Sequence, residues 1–158
     1  VCREGGLDCN PASLVSYAYR TAVSPHLAAR MEGRPLEWER VEADFRRAAG
    51  RYDFVVAEGS GGIVCPLRYE PGRPEKTVML ADVIRMTGFP LLIVADGGLG
   101  TINHTVLTAS YARSAGLFVR GIILNRYEKE DEMHKDNKAM IETLTGLPVL
   151  ACVPAEEE

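Results

Sequence analysis

Lysine is scarce in this chain, and no lysine follows a glycine. Only Lys76, Lys129, Lys135 and Lys138 are present among 158 residues. A glycine loop ending Gly-Lys-Ser/Thr, which wraps nucleotide phosphates and supplies a lysine to them, is therefore missing from these residues. An excess of positive charge is missing too. The 18 basic and 22 acidic residues leave a formal net charge of −4, which argues against the basic footprint of a nucleic-acid partner. The apolar runs are too short to cross a bilayer, and no basic-then-apolar leader opens the sequence. No membrane partner is expected, and the expected location is the cytoplasm. Cys2, Cys9, Cys65 and Cys152 form no C-x-x-C pair and have no histidine at metal spacing, so free thiols in a reducing compartment are expected. Cys65 and Cys152 sit in apolar surroundings and read as small core residues; Cys2 and Cys9 read as nearer the surface.

What is present is the material of an ordinary globular domain. With 46% hydrophobic and 25% charged residues, the chain can bury a substantial core, and one domain over residues 1–158 is expected. Residues 37–49 place Trp38, Val41 and Phe45 at helical spacing, with Gly50 as a stop. The run Phe54-Val55-Val56-Ala57 reads as a buried strand ending at Glu58. A Gly- and Pro-rich loop follows, and Thr77 is expected to cap a helix that lasts to Thr87.

The later pattern repeats this alternation. Residues 91–95 predict a strand, and a helix is expected from Asn103 or His104 to Ala115, with Gly116 as its stop. A strand over 119–125 follows, interrupted by Gly121, then a solvated charged loop, a helix over 132–144 and a short strand over 149–152. Apolar strands without alternation, separated by amphipathic helices, predict an α/β fold: a mostly parallel sheet with helices on both faces. The first thirty-six residues lack this rhythm. Residues 12–22 read as a helix or an irregular excursion, and Pro25 opens a short helix.

In such sheets ligands gather beyond the carboxyl ends of the strands, and three such ends stand out. Glu58 leads into Gly59-Ser60-Gly61-Gly62, where a hard cation such as Mg²⁺ could take the carboxylate and the glycines would let backbone approach a ligand. The plainer alternative is an exposed glutamate at a tight turn. Asp96-Gly97-Gly98-Leu99-Gly100 leads into Thr101-Ile102-Asn103-His104-Thr105, a glycine turn opening a helix whose N–H groups could hold an anion. Alternatively, Thr101 or Asn103 caps the helix and His104 packs at a surface. The third end is Asn125, whose amide can read a purine edge or bridge two loops. His26 and His134 have no partner pattern for a metal or a triad, and an ordinary structural or solvent role is expected for each.

The segments Tyr19 to Ala29, Glu32-Gly33, Val55 to Gly62, Leu99 to Thr105 and Leu124-Asn125, in this order and spacing, resemble the dethiobiotin synthetase family. The likeness runs from about Ala12 to Pro154. It implies a P-loop NTPase-like fold, a homodimer, and the use of ATP, Mg²⁺ and CO₂ to close the ureido ring of dethiobiotin from 7,8-diaminopelargonic acid. Glu58 would then be a Mg²⁺ ligand, and Gly61 and Gly62 would lie close to the phosphates. Gly100, Thr101, Ile102, Asn103 and His104 would hold the far carboxylate of the substrate across the dimer interface. Asn125 would recognise adenine, with the segment around Val153 and Pro154 completing the base pocket. No catalytic residue is identified.

Members of that family open with a strand, the phosphate loop and its helix, then a strand carrying a second functional lysine. None of these is found here, and the family's C-terminal helical tail is not found either. The expectation is a chain truncated at both ends relative to the family, without synthetase activity on its own and with weak ATP binding. Two other readings stand beside it: a related corrinoid-acid amide synthetase domain, and a non-catalytic remnant that dimerises or binds substrate.

Overall fold

The computed structural model describes Gly6 and residues 8–155. Its internal contacts divide into two compact units, Val1–Thr87 and Gly88–Glu158.

The first unit is mostly irregular. Asn10 caps a short 3₁₀ turn over Pro11–Leu14 by accepting the Ala12 N–H at 3.0 Å, and the chain then wanders to Ser24. Helix α1, Pro25–Met31, begins on its proline and buries Ala28 and Ala29. Helix α2, Trp38–Arg51, runs through Gly50 and ends two residues later than the expected end at Ala49. Strands β1, Pro66–Arg68, and β2, Val78–Met79, pair antiparallel, and α3 follows over Leu80–Thr87. Thr77 does not cap that helix. Asp82 accepts the Met79 N–H at 2.8 Å and takes over the role. Leu36, Leu67 and Leu80 form the core of this unit, with Tyr17, Val41 and Cys65 packed against them.

The expected strand over residues 54–57 is not formed. Phe54 is 84% and Val56 82% exposed, and the segment pairs with no strand among the described residues. A strand needs a neighbour to take its N–H and C=O groups, so apolar composition alone does not make one.

The second unit realises the predicted α/β pattern. Strands β3, Leu91–Asp96, β4, Val119–Asn125, and β5, Val149–Val153, form a parallel sheet in the order β3-β4-β5. Helix α4, Thr101–Ser114, links the first pair, and α5, Glu132–Thr145, links the second. The helix α4 begins two residues earlier than Asn103 because Gly100 supplies its left-handed N-cap. The two helices pack on each other, and α4 lies on the sheet. Among the described residues, Ile122, Leu124, Ile141 and Thr105 are the largest fully buried side chains, each apolar one contributing roughly 1.5–3 kcal/mol by burial. Within this unit the helices cover one face, and Leu92, Val94 and Leu150 are exposed on the other. Consecutive parallel crossovers that advance in one direction place both helices on the same side.

Gly121 has a packing reason: a Cβ there would lie 2.6 Å from Leu150 Cδ1 and 3.0 Å from the Pro148 carbonyl oxygen. Cys65 and Cys152 are free thiols, and Cys9 is half-buried. Cys65 is half-buried as expected, whereas Cys152 is exposed on the edge strand β5 rather than in a core. Cys2 lies outside the described residues.

Candidate functional site

The carboxyl ends of the three parallel strands lie in register, with Asp96 beside Asn125 and Asn125 beside Val153. Main-chain bonds carry this register past the sheet: the Gly97 N–H donates to Asn125 O at 2.8 Å, and the Tyr127 N–H donates to Val153 O at 2.9 Å. The two turns that leave β3 and β4 are also joined by a charge pair between the Asp96 carboxylate and the Arg126 guanidinium. Asp96 further accepts the Gly98 N–H at 2.7 Å. That N–H and then Arg126 hold its carboxyl below the ordinary carboxylate range.

This turn delivers the chain into α4. Gly100 adopts φ 88°, a left-handed conformation that suits glycine, and no side chain caps the helix. Thr101 does not cap it. Its hydroxyl faces that of Thr105 at 3.3 Å, with both residues buried. The Thr101 N–H reaches Gly98 O at 3.3 Å and the His104 N–H reaches Gly100 O at 3.2 Å. Asn103 and His104 are exposed. An uncapped N-terminus with exposed polar side chains beside it offers N–H donors and a favourable dipole to an anion.

Asn125 bridges the strand ends through its carbonyl, while the residue itself is exposed, as is Pro154. Gly100 to His104, Asn125 and Pro154 thus share one edge of one sheet.

Glu58, Gly61 and Gly62 belong to the first unit. Glu58 is exposed. A Cβ at Gly59 would lie 2.8 Å from Leu80 Cδ2, and Gly61 sits at φ 99°, so this loop is glycine-dependent for both space and conformation. No cluster of three metal-ligating side chains occurs among the described residues. A single hard carboxylate still suits Mg²⁺, which keeps waters and phosphate oxygens as its other ligands.

A family model described as an AAA domain matches residues 1–158. The chain is 44% identical over its whole length to ATP-dependent dethiobiotin synthetase BioD of Clostridium perfringens, spanning 68% of that protein. It is 46% identical over 89% of its length to the Brachyspira hyodysenteriae protein of the same name, spanning 62% of it. With the Clostridium kluyveri protein of that name it shares 48% identity over 88% of its length, spanning 56% of it. The chain belongs to the dethiobiotin synthetase family. It spans between 56% and 68% of the length of these three relatives.

Within this dethiobiotin synthetase framework, the sequence points to the exposed residues of the strand-end turns more readily than to the side chains that support those turns. Arg126, His134 and Asn137 all contact the strand-end turns, yet no sequence motif marks them as part of the site. Arg126 takes φ 53°, which no local motif announces. His134 is 7% and Asn137 6% exposed, so His134 has the structural role expected of it. Their spacing of three on α5 is the one available signal, since it puts both on one helix face. His26 is half-buried, its ring edge-on to Tyr69 at 6.5 Å, and its Nδ1 is buried without a hydrogen-bond partner.

Proposed function

We propose that this chain carries the substrate side of a dethiobiotin synthetase, within a single synthetase-like domain to which both units belong. The family reaction is the ATP-dependent closure of a ureido ring on 7,8-diaminopelargonic acid with CO₂. An amine of the substrate takes up CO₂ as a carbamate, and a carbamate oxygen attacks the γ-phosphorus of ATP and releases ADP. The second amine then attacks the resulting mixed anhydride and expels phosphate. Such chemistry depends more on positioning and charge neutralisation than on a strong base.

In this reading Gly100, Thr101, Ile102, Asn103 and His104 bind the far carboxylate of diaminopelargonic acid, presented across a homodimer interface. Asn125 reads the adenine edge, and Pro154 borders the base. Gly61 and Gly62 approach the phosphates, and Glu58 holds Mg²⁺, which would neutralise phosphate charge when bound. A cytoplasmic location is part of this reading; no helix among the described residues is long and apolar enough to span a membrane. The observation that carries the reading is the uncapped N-terminus of α4 behind the left-handed Gly100, at the carboxyl edge of a parallel sheet.

Because these residues contain no Gly-Lys-Ser/Thr loop, the polypeptide on its own is expected to bind substrate and to bind ATP weakly. Titration calorimetry with diaminopelargonic acid, and separately with ATP and Mg²⁺, tests this. Heat with the first and little with the second is the expected result. Dethiobiotin formation by the pure chain at a rate comparable to an intact enzyme would overturn the division of labour, and absence of diaminopelargonic acid binding would overturn the site.

A further inference from the structure

We propose that His134 and Asn137 of α5 are positioning residues that lock the turn after β3 to the turn after β4, and so fix the direction in which the N-terminus of α4 points. The proposal rests on the reading of α4 as the substrate-carboxylate site. The Asn137 amide donates from Nδ2 to two successive carbonyls, Gly97 O at 2.9 Å and Gly98 O at 3.1 Å. One NH₂ group thereby spends both of its donors on the peptide units that lead into Gly100. His134 works on the other turn. Its Nδ1 accepts the Glu128 N–H at 2.8 Å, which leaves the proton of the neutral ring on Nε2.

Gly97 sits where these supports converge. A Cβ there would lie 3.2 Å from His134 Nδ1, from Arg126 O and from Tyr127 Cα. The helix end that holds His134 is itself fixed, because Asp131 caps α5 by accepting the His134 N–H at 3.0 Å. Asn137 thus holds the carbonyls of the turn that aims α4, while His134 holds an N–H of the turn after β4 and closes the space over Gly97. A misplacement of about 1 Å caused by a change far from the chemistry can cost about a hundredfold in rate, so small shifts of this turn matter.

The test compares the unaltered chain with Asn137→Asp, which keeps the shape and removes the donors, and with His134→Leu in case the first variant fails to fold. Amide hydrogen exchange on the ligand-free proteins is the primary measurement. Exchange at Thr101 and His104 should accelerate about tenfold or more, while Ile123 and Leu124 of β4 change by no more than about twofold. With diaminopelargonic acid the dissociation constant should rise about tenfold, and that for ATP and Mg²⁺ should stay within about twofold. Unchanged exchange at Thr101 and His104, or a uniform rise across β3, β4 and α4, would overturn the proposal. Failure of the unaltered chain to bind diaminopelargonic acid would sink the ligand assignment instead, and the exchange comparison would still decide the lock.

Discussion

Backbone ladders hold the second unit together, whereas much of the first is held by side chains that reach back to main chain. In the second, β3 pairs with β4 and β4 with β5 in parallel ladders, each with one register shift near its start. In the first, the irregular stretch before α1 is pinned by individual residues. The Tyr19 hydroxyl donates to Arg34 O at 2.9 Å, the Arg34 guanidinium donates to Ala18 O at 3.2 Å, and the Tyr17 hydroxyl accepts the Glu37 N–H at 3.0 Å. The Glu32 carboxylate accepts the N–H groups of Arg20 and Thr21 at 2.7 and 3.1 Å. A ladder survives most side-chain changes because its bonds are main-chain; a clip is lost with one residue.

The largest expected effect attacks the ladder unit through its core. Leu124→Ala, at a fully buried position, should destabilise the second unit by about 2–5 kcal/mol, read as faster amide exchange along β4. A smaller effect there than in Leu67→Ala of the first-unit core would reverse the comparison. Next comes Gly121→Val, which drives a side chain against Leu150 and the Pro148 carbonyl. About 1–3 kcal/mol is expected, and a crystal structure should show β5 displaced from β4.

Helix capping gives a smaller test. Asp131→Ala removes the acceptor for the His134 N–H and should cost about 1 kcal/mol in urea unfolding, with the β ladders intact. For the clips the readout is local. Glu32→Ala, which removes the shared acceptor, should speed exchange at Arg20 and Thr21 and leave β4 unchanged; protection equal to the unaltered chain would show that the clip is dispensable.

The smallest effect is that of pH. The Asp96 carboxyl is held below its ordinary value of 3.8, first by the Gly98 N–H and then by Arg126. A depressed carboxyl stabilises the folded form above its ordinary value, and that contribution is lost as pH falls through the depressed one. The Gly98 amide resonance should therefore hold steady from about pH 8 to about pH 5 and shift only in the acid range. A midpoint near neutrality would assign the turn to another group.

This division also explains what the sequence made legible. The strands 91–96 and 119–125 and the helix 132–145 were readable because apolar runs and glycine stops are local signals, and main-chain ladders then complete them. Residues 54–57 carried the same signal and formed no strand, since pairing is a property of a neighbour and not of the run. The Gly97 to Gly100 turn was visible as glycines behind a strand. Its supports were not, because Asn137 stands 39 and 40 residues from the carbonyls it holds, and Asp96 and Arg126 meet only once β3 and β4 have paired.

The side of the β3-β4-β5 sheet that no helix of its own unit covers carries a thermodynamic consequence. Leu92, Val94 and Leu150 are already about half wetted in the folded chain, so unfolding adds correspondingly less new hydration at those positions than at buried ones. Heat capacity and denaturant sensitivity both scale with newly exposed surface. Calorimetry of this chain should accordingly give a heat-capacity increment below the usual scale of about 12–15 cal/mol/K per residue. Its stability curve would be flatter with temperature than that of a chain whose sheet is covered on both sides.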